Sequence, residues 1–214
     1  MGTLIVKSNL LVYGAGGHAK VIIDAVRRSG GVVSAIIDDD PVRQGEDWLG
    51  IKILSPEEFL ANRSKYRIDG CIIAIGHNNT RIEKAAQCYE MGYRLQSVMH
   101  PSAIVSPTAK LGDGTVLCAG SVINADSVIG NNTIINTHTT IEHDCWVGNN
   151  VHIAPRVCLG GSVQVEDGAF IGMGACVLPN LRIGQNAVVG AGAVVTRDLP
   201  SQVTAFGVPA RIVQ

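Results

Sequence analysis

The sequence predicts an α/β domain with a small parallel sheet over residues 1–101, followed by a parallel β-helix over residues 102–214. Two observations carry this. From Val105 to Pro200 the chain divides without a break into sixteen hexads, and every first position is Val, Leu or Ile. Before that stretch, short apolar runs alternate with segments of helical period.

The repeat is the stronger signal. Self-similarity at a short fixed period means stacked units rather than a globular core. An aliphatic first position and a small fifth position (Thr115, Ser121, Ser127, Thr133, Ala169, Ala187, Ala193) flank an outward sixth one, giving a short strand that points in, out, in. Positions two to four turn the corner. Gly or Asn fills many second positions, among them Gly112, Gly130, Gly148, Gly172 and Gly190, so the positive-φ residue is expected there. Three hexads close one triangular coil of eighteen residues. At the inter-strand spacing the prism rises about 25 Å.

In the first part, apolar runs at 10–13, 33–37 and 71–75 read as strands, with helices at 17–29, 57–63 and 79–91 and a last strand near 95–99. Strand alternating with helix gives a Rossmann-like parallel sheet covered by helices. His100-Pro101 ends the unit, because proline does not continue the pattern.

Composition excludes several classes. The formal net charge is −1 with no basic run, so nucleic acid and anionic membranes are poor partners. The run Leu10 to Tyr13 is too short for a signal core or a span, which points to a cytoplasmic protein. The six cysteines form no paired motif and read as free thiols; Cys158 and Cys176, eighteen apart, stack on adjacent coils.

Gly14-Ala15-Gly16-Gly17-His18-Ala19 follows a strand and opens a helix, satisfying G-x-G-x-x-G/A, and Asp38 ends the second strand where a ribose-binding acid would stand. About a hundred residues leave no room for the second half of a dinucleotide fold. What survives is an anion site for the diphosphate of a nucleotide at the helix N-terminus, with Asp38 and Asp39 as acceptors and Gly76 opening the same sheet edge. The plainer alternative is that Gly16 and Gly17 only permit tight strand-helix packing, and that His18 is a surface residue.

Sixth positions fall into three outer columns. Lys110, Val128, Trp146, Gln164, Arg182 and Pro200 form a mixed one; the columns through His152 and through Cys158 are apolar. Two apolar faces suit a closed ring of identical prisms, so a homotrimer is expected. His143 stands at a corner in Glu142-His143-Asp144, and His152 lies half a coil on, on the opposite side. They would meet only across subunits. Asp144 can orient the imidazole and favour its protonated form, which makes His143 a candidate general base; the alternative is an ordinary polar corner. His152 needs a polar partner to be tolerated in an apolar column. His138 reads as structural.

GAGGHAK, IEHDCWVGNNVHIAP, IGMGA, VGAGAVV and AFGVPAR together resemble the hexapeptide-repeat acyltransferases of the sialic acid O-acetyltransferase group, which includes the nucleotide-amino-sugar N-acetyltransferases of the PglD and PerB type. The resemblance implies a left-handed β-helix and acetyl-CoA-dependent transfer onto the amine of a nucleotide-linked amino-deoxy sugar, without metal. By matching positions, His143 would be the base and Asp144 the neighbour raising its basicity. His152 would contact acetyl-CoA, whose pantetheine arm would pass Met173 and Ala191, with Gly172, Gly174, Gly190 and Gly192 allowing close approach. Gly16, Gly17, His18, Asp38, Asp39 and Gly76 would hold the nucleotide sugar. Rival readings are O-acetylation of sialic acid and a gamma-carbonic-anhydrase-like zinc enzyme using His138, His143 and His152.

Overall fold

The computed structural model describes residues 8–213. Two compact units divide between Pro101 and Ser102.

The first unit is a five-stranded sheet. β1 (Asn9–Tyr13), α1 (Gly17–Arg28), β2 (Val32–Ile37), β3 (Asp47–Trp48), β4 (Ile51–Leu54), α2 (Pro56–Ala61), β5 (Gly70–Ile73) and α3 (Asn78–Glu90) follow in sequence. Their order across the sheet is β3-β4-β2-β1-β5, parallel except for the β3–β4 hairpin. Alternation along the strands sends Leu11, Tyr13, Ala35, Ile37, Cys71 and Ile73 to one face, where they pack with Phe59, Ala85 and Cys88. Leu10, Val12, Ile36 and Ile72 are buried on the other. α1 forms because Ala19, Ile22, Ile23 and Val26 recur at helical spacing and are all buried, while Arg27 and Arg28 suit its C-terminal dipole. α2 starts where Ser55 caps the Glu58 N–H at 3.0 Å and Pro56 takes the first helical position. The direction of crossover changes between β1 and β5, so the carboxyl ends of these two strands border the crevice where open α/β sheets bind ligands.

The second unit is a left-handed parallel β-helix; the repeat predicts its stacked coils, and the family resemblance implies its hand. Its strands are residue pairs at hexad positions six and one, stacked in register eighteen residues apart. One face stacks Lys110, Val128, Trp146, Gln164 and Arg182; a second Val116, Ile134, His152, Phe170 and Val188; the third Val122, Thr140, Cys158, Cys176 and Val194. The first-position aliphatics from Leu117 to Val195 are buried. Fifth positions also point inward. In the early coils they carry hydroxyls that donate to carbonyls, mostly of the next coil, as Thr133 does to Gly148 at 2.9 Å and Thr139 to Ala154 at 2.9 Å, while Ser121 donates within its own coil to Cys118 at 2.8 Å. From Val151 onward they are Val, Ala or Leu, which need no partner.

The corners correct one expectation. Positive φ lies at the fourth positions, including Asp126, Asn132, His138, Asp144, Asn150 and Asn186, and not at the second. The second-position glycines answer a different demand. A Cβ at Gly172 would stand 2.6 Å from the Ala191 nitrogen, and one at Gly130 2.7 Å from the Asn149 nitrogen. Consecutive coils approach too closely there for any side chain.

Candidate functional site

At the carboxyl edge of the first unit's sheet, the glycines divide by role. Gly14 has φ +104, and a Cβ on it would stand 2.8 Å from Ile75 Cγ1; it is needed for the chain's own packing. A Cβ at Gly16 or Gly17 would meet nothing within 4 Å. Tight strand-helix packing therefore does not explain these two. Gly16 caps α1 without a side-chain acceptor, and no acidic residue stands in the first turn. The open space lies where the helix N-terminus favours an anion. His18, half-buried, is on the same first turn.

The two aspartates are engaged within the chain. Asp38 accepts the Ala15 N–H at 2.5 Å through Oδ2 and the Asp40 N–H at 2.8 Å through Oδ1, so it braces the glycine turn. Asp39 accepts from the Tyr13 hydroxyl at 3.0 Å and pairs with Lys84 Nζ at 2.9 Å. Burial, reinforced by Asp39, pushes the Tyr13 hydroxyl well above its ordinary value, so it remains a donor. Burial works against the Lys84 charge, yet Asp39 and Glu83 more than reverse this and raise its pKa. Gly76 sits in the turn after β5, and its carbonyl accepts from the buried Arg81 at 3.1 Å. Arg81 also reaches Ile75 O at 3.3 Å and Asn78 Oδ1 at 2.8 Å, which fixes that turn. Burial lowers its pKa to about 10, so it keeps its charge at neutral pH.

In the prism, His143 occupies the corner between the Thr140 face and the Trp146 face. Its carbonyl accepts the Ser162 N–H at 2.9 Å, and Asp144 N–H donates to Ala125 O at 3.0 Å, so the coils on both sides hold this backbone. Asp144 has φ 59, a conformation that Asp tolerates, and its Oδ2 lies 2.7 Å from His143 Nδ1. With the Nδ1 proton facing a carboxylate, the lone pair is on Nε2. Glu142 turns the other way and accepts from Asn124 at 3.0 Å.

His152 is on the face opposite that corner and is 9% exposed. It has the partner its column requires. Asn136 Nδ2 lies 3.2 Å from Nε2, and Phe170 meets the ring edge-on with centroids 5.2 Å apart. Asn136 Oδ1 accepts the Thr137 N–H at 2.8 Å, which leaves the amide NH2 to face His152 and makes Nε2 the acceptor. Sequence reasoning missed Asn136; its only signal was a polar residue one coil below.

Met173 and Ala191 stack on the corner that follows the His152 face and are both exposed. Gly172 and Gly190 do not open this corner to a ligand: Gly172 is closed by the Ala191 backbone and Gly190 by the Phe206 ring. The open glycines are Gly174 and Gly192, where a Cβ would meet nothing within 4 Å, although φ of +69 and +66 disfavours one. Among the described residues no three of His, Cys, Asp or Glu are grouped to hold a metal ion.

Residues 9–88 match the PglD N-terminal domain, and 126–161 and 162–197 match the bacterial transferase hexapeptide of six repeats. A histidine-to-asparagine mutant of perosamine N-acetyltransferase from Caulobacter crescentus, solved with CoA and GDP-perosamine, is 40% identical with a TM-score of 0.91, covering 98% of each chain. The chain belongs to the PglD/PerB-type hexapeptide-repeat sugar acetyltransferase family. The acetyltransferase domain of PglB from Neisseria gonorrhoeae FA1090, solved with acetyl coenzyme A, is another member, 32% identical over 97% of this chain and 100% of that one, with a TM-score of 0.87. UDP-N-acetylbacillosamine N-acetyltransferase of Bacillus subtilis (strain 168) is 39% identical over 115 residues, 52% of this chain. That alignment spans about half of the curated relative, 51% of its length.

Proposed function

We propose that this chain transfers the acetyl group of acetyl-CoA to the amine of a nucleotide-linked amino-deoxy sugar. The observation that carries the reading is the His143–Asp144 contact of 2.7 Å at an exposed corner, in a family with a member solved with CoA and GDP-perosamine.

Asp144 holds the Nδ1 proton, and Nε2 serves as general base. The amine nitrogen bonds to the thioester carbonyl carbon as its excess proton passes to Nε2. The carbon-sulfur bond then breaks, and the proton returns to the departing thiolate. A base of this kind contributes roughly 10² to 10⁴ in rate. His152, Met173 and Ala191 are assigned to acetyl-CoA, and of the four corner glycines only Gly174 and Gly192 leave room for it. The open turn at Gly16, Gly17 and His18 is assigned to the diphosphate; Asp38 braces it, while Asp39 and Gly76 border it.

The active form is a homotrimer in which His143 of one subunit works with His152 of its neighbour. Support comes from their placement on a corner and on the face opposite it, and from the apolar columns. The N-terminal anion turn favours a nucleotide-activated acceptor over free sialic acid. Thiol release from acetyl-CoA with a panel of UDP-, GDP- and dTDP-linked amino sugars, and with free sialic acid, tests the reading. Turnover with sialic acid alone would contradict it.

A further inference from the structure

We infer that Gly161 is a positioning residue for the base: its missing side chain is the seat of the His143 imidazole. This rests on the reading of His143 given above.

The eighteen-residue coil places Gly161 directly after His143 in the same corner stack. A Cβ built on Gly161 would lie 2.7 Å from Cε1, 2.7 Å from Nε2 and 3.3 Å from Nδ1 of His143, and these are its three nearest neighbours. Gly161 is buried, whereas the His143 side chain is 62% exposed. The ring therefore rests against the glycine with Cε1 and Nε2 nearest to it, while Asp144 holds Nδ1. Two constraints on one planar ring leave it a single orientation. Without Gly161, only the contact to Asp144 would remain, and the ring would pivot about it.

The backbone does not require this glycine. Gly161 is absent from the residues with positive φ, so alanine fits its main-chain conformation. The adjacent Gly160 is different: a Cβ there would stand 2.7 Å from the Pro179 nitrogen, in the main chain of the next coil. A methyl at 161 strikes the free end of an exposed side chain, which swings away at little cost to the fold. A methyl at 160 strikes backbone. His138 lies over Gly120 in a similar manner, but Gly120 has φ +68, so that glycine is demanded by the chain as well. Gly161 alone of these three is explained by the ring it seats.

The test is a double-mutant cycle on the assembled enzyme, using Gly161→Ala, His143→Ala and the pair, with acetyl-CoA and an accepted amino sugar. Gly161→Ala should lower kcat about 10- to 100-fold, the scale expected for displacing a catalytic group by roughly 1 Å. Both KM values and the melting temperature should hold. In the His143→Ala background the same change should lower kcat no further, because the ring it displaces is gone. Gly160→Ala should lower the melting temperature instead. Wild-type kcat in Gly161→Ala, or an equal loss in both backgrounds, would overturn the inference while leaving His143 as the base. Failure of Gly161→Ala to fold would also overturn it, since the methyl would then be meeting something other than the ring. Full turnover in His143→Ala would overturn the base assignment and this inference with it.

Discussion

Replacing Asp144 with asparagine separates orientation of the base from the base itself. The corner demands a residue tolerant of φ 59, and asparagine meets that demand as aspartate does. Alanine would not; its left-handed conformation costs about 1–2 kcal/mol and would confuse catalysis with folding. Asparagine keeps an acceptor oxygen near His143 Nδ1 but removes the charge. A hydrogen bond to a charged group contributes about 1.5–3 kcal/mol when shielded. Here the contact is 2.7 Å long with side chains 62% and 57% exposed, so water weakens it. About 1 kcal/mol is a reasonable remainder. Since 1.36 kcal/mol is tenfold in rate, kcat should fall about 3- to 10-fold. Steady-state kinetics on Asp144→Asn, with KM for both substrates and the melting temperature unchanged, would agree. A wild-type kcat would show that Asp144 does not orient the base. A loss as deep as that of His143→Ala would show that it does more than orient it.

The glycine turn gives a second contrast. Gly16→Val should keep the wild-type melting temperature and weaken GDP, UDP or dTDP binding at least tenfold by calorimetry, because its Cβ meets no protein atom but projects into the anion space. Gly14→Ala should lower the melting temperature, since φ +104 and Ile75 both oppose it. Thiol labelling of the native protein at pH 8 should spare Cys71, Cys88, Cys118 and Cys145, which the fold itself buries. Burial pushes Cys118 up to about 12 and Cys145 up to about 11, so modification of either before unfolding would contradict their placement. Asp69 supplies a pH test. Main-chain and side-chain N–H groups of Asn9 hold its carboxyl below 3.8, and a depressed value stabilises the fold above 3.8 and is lost as pH falls through the folded value. Thermal melts of wild type and Asp69→Asn should therefore differ at pH 7 and converge in acid.

The repeat was legible because one physical demand, an inward aliphatic every sixth residue, acts on every coil alike. Its corner conformation was misread from composition. Glycine at the second position and Asp or Asn at the fourth both look like turn formers, and only the stacked coils show that the first excludes a Cβ and the second adopts positive φ. The β3–β4 hairpin escaped because its turn is Leu49-Gly50, with Leu49 at φ 55, where asparagine would have advertised it. Asp38 was recognised as important, but its acceptance of the Ala15 N–H is a contact across 23 residues that spacing does not reveal. Gly161 was within reach: eighteen residues after a corner histidine is its neighbour in the stack, and a glycine there leaves room for a ring.

The central claim is that His143 and His152 act together only across subunits. Co-expression of His143→Ala with His152→Ala chains tests it, because each mixed trimer contains one seam of three in which both histidines are intact. Random assortment restores about a quarter of the wild-type seams, so about a quarter of wild-type turnover should return although each parent is inactive. Mixed trimers no more active than either parent would contradict the account.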